Sequence, residues 1–156
     1  MALEKGIKVI AENRKAYHEY FIEEKMEAGI ELSGTEVKSV RAGKMNLSDS
    51  YVMVKDSELW LVGAHISPFE QGNRFNKDPM RTRRLLMHKR EIMRLFGVVK
   101  QEGLTLVPTK SYFKNGRIKI EVGLAKGKKN YDKRDTVALR QANRDIDRQM
   151  KEKRYE

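Results

Sequence analysis

Lys114-Asn115-Gly116-Arg117 constrains this chain's architecture more than any other stretch. Two residues that accept positive φ stand between Ser111-Tyr112-Phe113 and the alternating Ile118, Ile120 and Val122, the strongest short-range signature of a β-hairpin. Upstream, Leu104-Thr105-Leu106-Val107 reads as a strand running into Pro108, which has no N–H to give a ladder and so fits only an edge or a bend. A second hairpin is predicted where Asp56-Ser57 separates Tyr51-Val52-Met53-Val54 from Leu59-Trp60-Leu61-Val62. From Tyr17 the pattern has period two, with His18, Tyr20, Ile22 and Met26 on one face and Glu19, Glu23, Lys25 and Glu27 on the other. That strand is broken only by Phe21 and Glu24, and Ile30-Glu31-Leu32 continues it past a bulge at Ala28-Gly29.

Helical signals are fewer. Ser33-Gly34-Thr35-Glu36 has capping-box spacing and opens a short helix carrying Val37 and Val40, closed at Gly43. Leu85, His88, Ile92, Leu95 and Phe96 recur at helical spacing, so a helix is predicted over 82–96, ended by Gly97. Residues 1–15 are polar and irregular, and residues 1–12 are expected to form a flexible lead-in. The fold class is therefore mainly β: an antiparallel sheet with flanking short helices, closing as a small barrel, within a domain spanning 1–125.

Residues 126–156 behave differently. They carry eleven Lys/Arg against six Asp/Glu, and Leu139, Ala142, Ile146 and Met150 give only a thin helical stripe. So little apolar surface does not offset the entropy of ordering. A basic tail is expected that is disordered when free and helical against a partner; a solvated helix docked on the body is the alternative. Arg140, Arg144, Arg148 and Lys151 form a second, cationic stripe.

The formal charge of +11 is not spread evenly. One stretch, Arg74 to Arg94, holds eight basic residues against Asp78 and Glu91, and with the tail it accounts for the whole excess. Charge runs are commonly just solvated faces. An excess gathered into two places is nevertheless the footprint of a polyanion binder, and nucleic acid is the favoured partner. An acidic membrane surface fits less well, because neither stretch pairs its charge with a broad apolar face.

Other classes fall away. No apolar run approaches the roughly 20 residues of a membrane span, and Met1-Ala2-Leu3-Glu4-Lys5-Gly6 lacks the apolar region of a signal peptide, so an intracellular, cytoplasmic protein is expected. With no cysteine there is neither a disulfide framework nor a thiolate. His18, His65 and His88 lack the spacing of a zinc helix, so no metal site, cofactor or catalytic residue is expected. Gly123-Leu124-Ala125-Lys126-Gly127-Lys128-Lys129 has the wrong spacing for a phosphate loop. A ribosomal protein or assembly factor that binds ribosomal RNA remains a rival reading, and a nuclease is a weaker one.

Several blocks taken in order resemble the small protein B (SmpB) family, the bacterial partner of transfer-messenger RNA in ribosome rescue. They are Asn13-Arg14-Lys15-Ala16-Tyr17-His18-Glu19-Tyr20, Glu27-Ala28-Gly29-Ile30, Gly34 through Lys44, Asp49-Ser50-Tyr51, Asp78 through Leu86, and Gly123 through Lys129. The resemblance implies an oligonucleotide-binding-type β-barrel whose body grips the tRNA-like domain of that RNA. It implies RNA contacts at Glu27, Leu86 and His88, and the basic candidates beside them in these blocks are Lys38, Arg41, Lys44, Arg81, Arg83 and Arg84. For the tail it implies that Gly127, Lys128, Lys129, Tyr131, Asp132, Lys133 and Arg134 read the empty decoding centre and mRNA channel of the small subunit. Arg140, Arg144, Arg148, Met150 and Lys151 are expected to join them. The implied partners are transfer-messenger RNA, the ribosome and, indirectly through the aminoacylated RNA, elongation factor Tu; no membrane is involved.

Overall fold

The computed structural model describes residues 7–69 and 76–128. In chain order these form β1 (Ile7–Glu12), α1 (Arg14–Glu19), β2 (Tyr20–Ile30), α2 (Gly34–Arg41), β3 (Met45–Asn46), β4 (Tyr51–Lys55), β5 (Glu58–Val62) and β6 (His65–Ile66). They continue with β7 (Arg83–Leu86), α3 (Lys89–Glu102), β8 (Thr105–Lys114) and β9 (Arg117–Gly127). Seven strands hydrogen-bond in the order β1-β8-β4-β5-β7-β2-β9, and β9 pairs with β8 as well. Six of them thus close a ring, with β1 alongside β8, while β3 and β6 pair separately. This is the barrel with short helices that the sequence predicts. Closure matters because it removes the unpaired edges that an open sheet would present.

Both hairpins turn as expected, through two residues of positive φ: Asp56 (55°) and Ser57 (63°), then Asn115 (51°) and Gly116 (77°). The interior is aliphatic, with Leu59, Leu61 and Leu85 meeting Ile120 and Val122, all fully buried. Helix α3 adds Ile92 and Leu95 to the same cluster. Each such side chain contributes roughly 1.5–3 kcal/mol by leaving water. The Ser33–Glu36 capping box is formed in both directions, and α2 ends at Ala42 before Gly43 (φ 78°).

Three expectations need correction. Residues 7–12, read as part of a flexible lead-in, form β1 and pair with β8 from Ile7–Lys114 to Glu12–Lys110. The strand predicted from Tyr17 starts instead at Tyr20, because Asn13 nucleates α1. The Asn13 side chain accepts from the Ala16 N–H (3.2 Å) while its amide donates to the carbonyls of Pro108 (2.8 Å) and Leu47 (3.2 Å). With its own N–H on the Thr109 carbonyl (2.8 Å), this buried residue ties three distant segments together.

The helix predicted over 82–96 is two elements. Arg83–Leu86 is strand β7, between β5 and β2, and the helix begins only at Lys89, runs through Gly97 and ends at Gly103 in the left-handed conformation. The helical spacing of Leu85 and His88 with Ile92 is coincidental: Leu85 points into the barrel from a strand. Pro108 lies within β8 opposite Val122, and the register shifts between Pro108 and Lys110, so the bend anticipated there is a bulge.

The chain divides into two units, residues 1–126 and 127–156. Of the second, only Gly127 and Lys128 are described, so the expected behaviour of the tail lies outside the described residues. No helix among the described residues is long and apolar enough to cross a membrane.

Candidate nucleic-acid interface

Glu27 sits near the end of β2, on its exposed side, before buried Ala28 and the narrow Gly29. Its carboxylate accepts from the Tyr112 hydroxyl (2.6 Å) and from Lys114 Nζ (3.3 Å), both on β8. The Tyr112 hydrogen bond chiefly holds the Glu27 carboxyl below its ordinary value; Lys114 and the charge of Lys119 add to this against the opposing effect of burial. Glu27 is therefore a fixed acceptor, ionised at neutral pH.

Facing it is the start of α3. His88 occupies the N-cap in an extended conformation, with its ring making no cap hydrogen bond. Glu27, His88, Met26, Met87, Lys89 and Arg90 line an open cleft of about 690 Å³. Two thioethers supply a polarisable floor suited to a flat ring, the carboxylate accepts N–H donors, and the two cations suit phosphate. Glu91, also on this cleft, is engaged by Arg94 (2.5 Å), which bridges to Glu24 on β2 (2.6 Å). The lip of the cleft is thereby braced across α3 and β2.

The remaining body candidates scatter around this centre. Leu86 is 43% exposed, an unusual cost for a strand leucine, and stands opposite Gly29, where any Cβ would lie 3.4 Å from its own. Lys38 and Arg41 are exposed on α2 and Lys44 just beyond it, with the Lys38 ammonium 5.5 Å from the centre of the Phe69 ring. Arg84 points outward but is shared between Glu58 (3.1 Å) and Glu31 (3.3 Å). Such exposed pairs are worth at most about 1 kcal/mol and leave the guanidinium available to a phosphate.

Arg83 is the exception, and it leaves the interface. Its side chain is wholly buried, ion-paired to Glu36 (2.9 Å) and donating to the carbonyls of Ala64 (2.9 Å) and Pro79 (3.0 Å). No guanidinium so enclosed reaches an RNA. Arg81, partly exposed, donates twice to the same Glu36 carboxylate (2.6 and 2.9 Å), which also accepts from the Ser33 N–H (3.0 Å). The two arginines, two residues apart in sequence, thus do different work.

Sequence reasoning missed Tyr112 and Lys114, the pair that fixes Glu27. The register of β8 could have indicated them, since Tyr112 and Lys114 alternate on one strand beside the Asn-Gly turn. Of the tail candidates, Gly127 ends β9 and Lys128 follows it. Lys129, Tyr131, Asp132, Lys133, Arg134, Arg140, Arg144, Arg148, Met150 and Lys151 lie outside the described residues. No group of three or more His, Cys, Asp or Glu among the described residues is placed to hold a metal ion.

Comparison with known proteins now adds identity to this geometry. The family model described as SmpB protein matches residues 10–152. An SsrA-binding protein of Acetivibrio thermocellus is 62% identical over 145 residues, 93% of this chain and 94% of that protein. Another, from Carboxydothermus hydrogenoformans, is 63% identical over 144 residues, 92% of this chain and 97% of that protein. A solved structure described as "tmRNA-SmpB: a journey to the center of the bacterial ribosome" superposes with a TM-score of 0.64 at 53% identity, covering 76% of this chain and 83% of that one. A match of this span, with relatives so alike over nearly their whole length, makes this chain a member of the SmpB family.

Proposed function

We propose that this protein is a non-enzymatic, cytoplasmic RNA-binding adaptor of trans-translation. Its barrel holds the tRNA-like domain of transfer-messenger RNA and delivers it to stalled ribosomes. There the basic tail takes the place of an anticodon arm in the vacant decoding centre and mRNA channel, so that the nascent chain is tagged and the ribosome released. The observation carrying the reading is the Glu27–His88 cleft: an ionised acceptor, a free imidazole face, a methionine floor and a cationic rim on the blocks that match the family. A flat, unpaired base flanked by phosphates meets all four requirements.

The body candidates for RNA contact are Glu27, Lys38, Arg41, Lys44, Arg81, Arg84, Leu86 and His88. Those for the ribosome are Gly127 to Lys129, Tyr131 to Arg134, Arg140, Arg144, Arg148, Met150 and Lys151. Elongation factor Tu is reached only through the aminoacylated RNA. The test separates the two units: deletion of residues 127–156 leaves affinity for the tRNA-like domain within about twofold and abolishes tagging of stalled chains in a reconstituted translation system. Tagging that survives the deletion refutes the two-part mechanism.

A further inference from the structure

A second cleft, of about 350 Å³, lies between the end of β2, Leu86 of β7, α2 and the β8–β9 hairpin. Its floor is apolar, with Leu86, Ile118 and the ring of Phe113, and its rim is Arg41, Arg117 and Lys119. No carboxylate lines it, in contrast to the first cleft, where Glu27 and Glu91 temper the charge. Arg41 and Arg117 make no ion pair with any described residue, although the rest of the surface is laced with such pairs. Phe113 is only partly buried and packs into neither cluster of the core.

A hydrophobic slot with an aromatic wall and three cations at its mouth, two of them without an ion pair among the described residues, has the composition of a site for a nucleotide: base on the ring and the leucine, phosphates on the guanidinium and ammonium groups. An acidic peptide would satisfy the cations but leave the ring and leucine without a flat partner. We propose that this slot is a second nucleotide site, engaging an unpaired base of the bound RNA and the phosphates beside it, with Arg117, Lys119 and Phe113 as contacts that extend the interface from β2 and α3 onto the β8–β9 hairpin. Leu86, exposed on the wall of this slot, then packs against that base. The inference rests on the RNA-binding reading above and deepens it.

The experiment measures the affinity of the full chain for the tRNA-like domain of transfer-messenger RNA by fluorescence anisotropy across a salt series. The parent chain should bind that RNA in preference to a duplex of equal length; if it does not, the RNA-binding reading itself fails. With parent binding in hand, the double variant R41Q/R117Q lowers the slope of log affinity against log salt by about 1.4–1.8, the loss of two phosphate contacts. The variant F113L, which keeps apolar bulk and loses the ring, weakens binding about fivefold or more with the slope unchanged, the size of one lost base–aromatic stack. The control K55Q/K100Q removes the same charge from β4 and the far end of α3 and leaves the slope as it was. An R41Q/R117Q slope equal to the parent's, or an equal drop in the control, overturns the slot. So does F113L binding like the parent while circular dichroism shows both proteins folded.

Discussion

Replacing Glu36 by Gln removes one charge and almost no volume from the point where α2, β7 and the Pro79 turn meet. In the parent the carboxylate accepts from Arg81, Arg83 and the Ser33 N–H, and it is itself 4% exposed. Burial pushes its carboxyl up, but the two arginines and the Ser33 N–H outweigh that, and the net shift is downward. Burial likewise lowers Arg83 from the ordinary guanidinium value, opposed by Glu36. The partner cannot escape by losing its proton, so E36Q strands a cation with no access to water. The expected loss is about 3–5 kcal/mol, the penalty for removing one partner of a buried pair. In a domain stable by roughly 5–15 kcal/mol this is a large fraction. Urea denaturation at pH 7, followed by tryptophan fluorescence and circular dichroism, reads it directly. The double variant E36Q/R83M should recover part of the loss, because the charge left behind is then gone. The pH dependence has a definite sign: a depressed carboxyl stabilises fully above its unfolded value of about 4.3 and the contribution disappears as pH falls through the lower folded value. E36Q should flatten that acid limb. A loss below 1 kcal/mol would refute the claim that Arg83 is a buried structural cation.

Two further outcomes follow from the same geometry. Gly97 lies inside α3 with nothing within 4 Å of a built Cβ, so G97A should stabilise the fold by about 0.5–1 kcal/mol in thermal or urea denaturation, through helix propensity alone; a destabilised variant would show that this position meets something the free chain does not reveal. Tyr112→Phe removes the principal donor to Glu27, so the Glu27 carboxyl should titrate higher, by carbon-13 NMR, and RNA binding should weaken first on the acid side; an unmoved titration would dismiss Tyr112 as the residue that sets Glu27.

Where the sequence was legible, a local rule was enough. The Asn115-Gly116 turn, the Asp56-Ser57 turn and the Ser33–Glu36 capping box each depend on two to four adjacent residues and formed as read. Where it was not, the reason lies in tertiary compensation. Arg83 and Leu85 both point inward from β7, so a strand's alternation was hidden by an arginine at a core position. That arginine is tolerated only because Glu36, Ala64 and Pro79 supply partners from elsewhere. His88 is a poor N-cap residue, so nothing marked the true start of α3. Asn13 likewise looked like surface, since its partners are 34 and 95 residues away. Glu27 was indicated by family likeness; its physical role depended on Tyr112, at a sequence separation of 85 that no window spans.

The clamp at Asn13 also sets an order of events at birth. β1 and α1 leave the ribosome first, yet the carbonyls of Pro108 and Thr109 that anchor them are made 95 and 96 residues later. At about 5–20 residues per second, the opening strand waits roughly 5–20 s without its mate. Throughout that interval β1 is an unmatched edge, and the ring cannot shut until β8 has met β4 and β9, the last strand made, has joined β2 to β8. Maturation is thus gated by the last two strands, and a premature stop anywhere before residue 117 yields a product that no local repair can close.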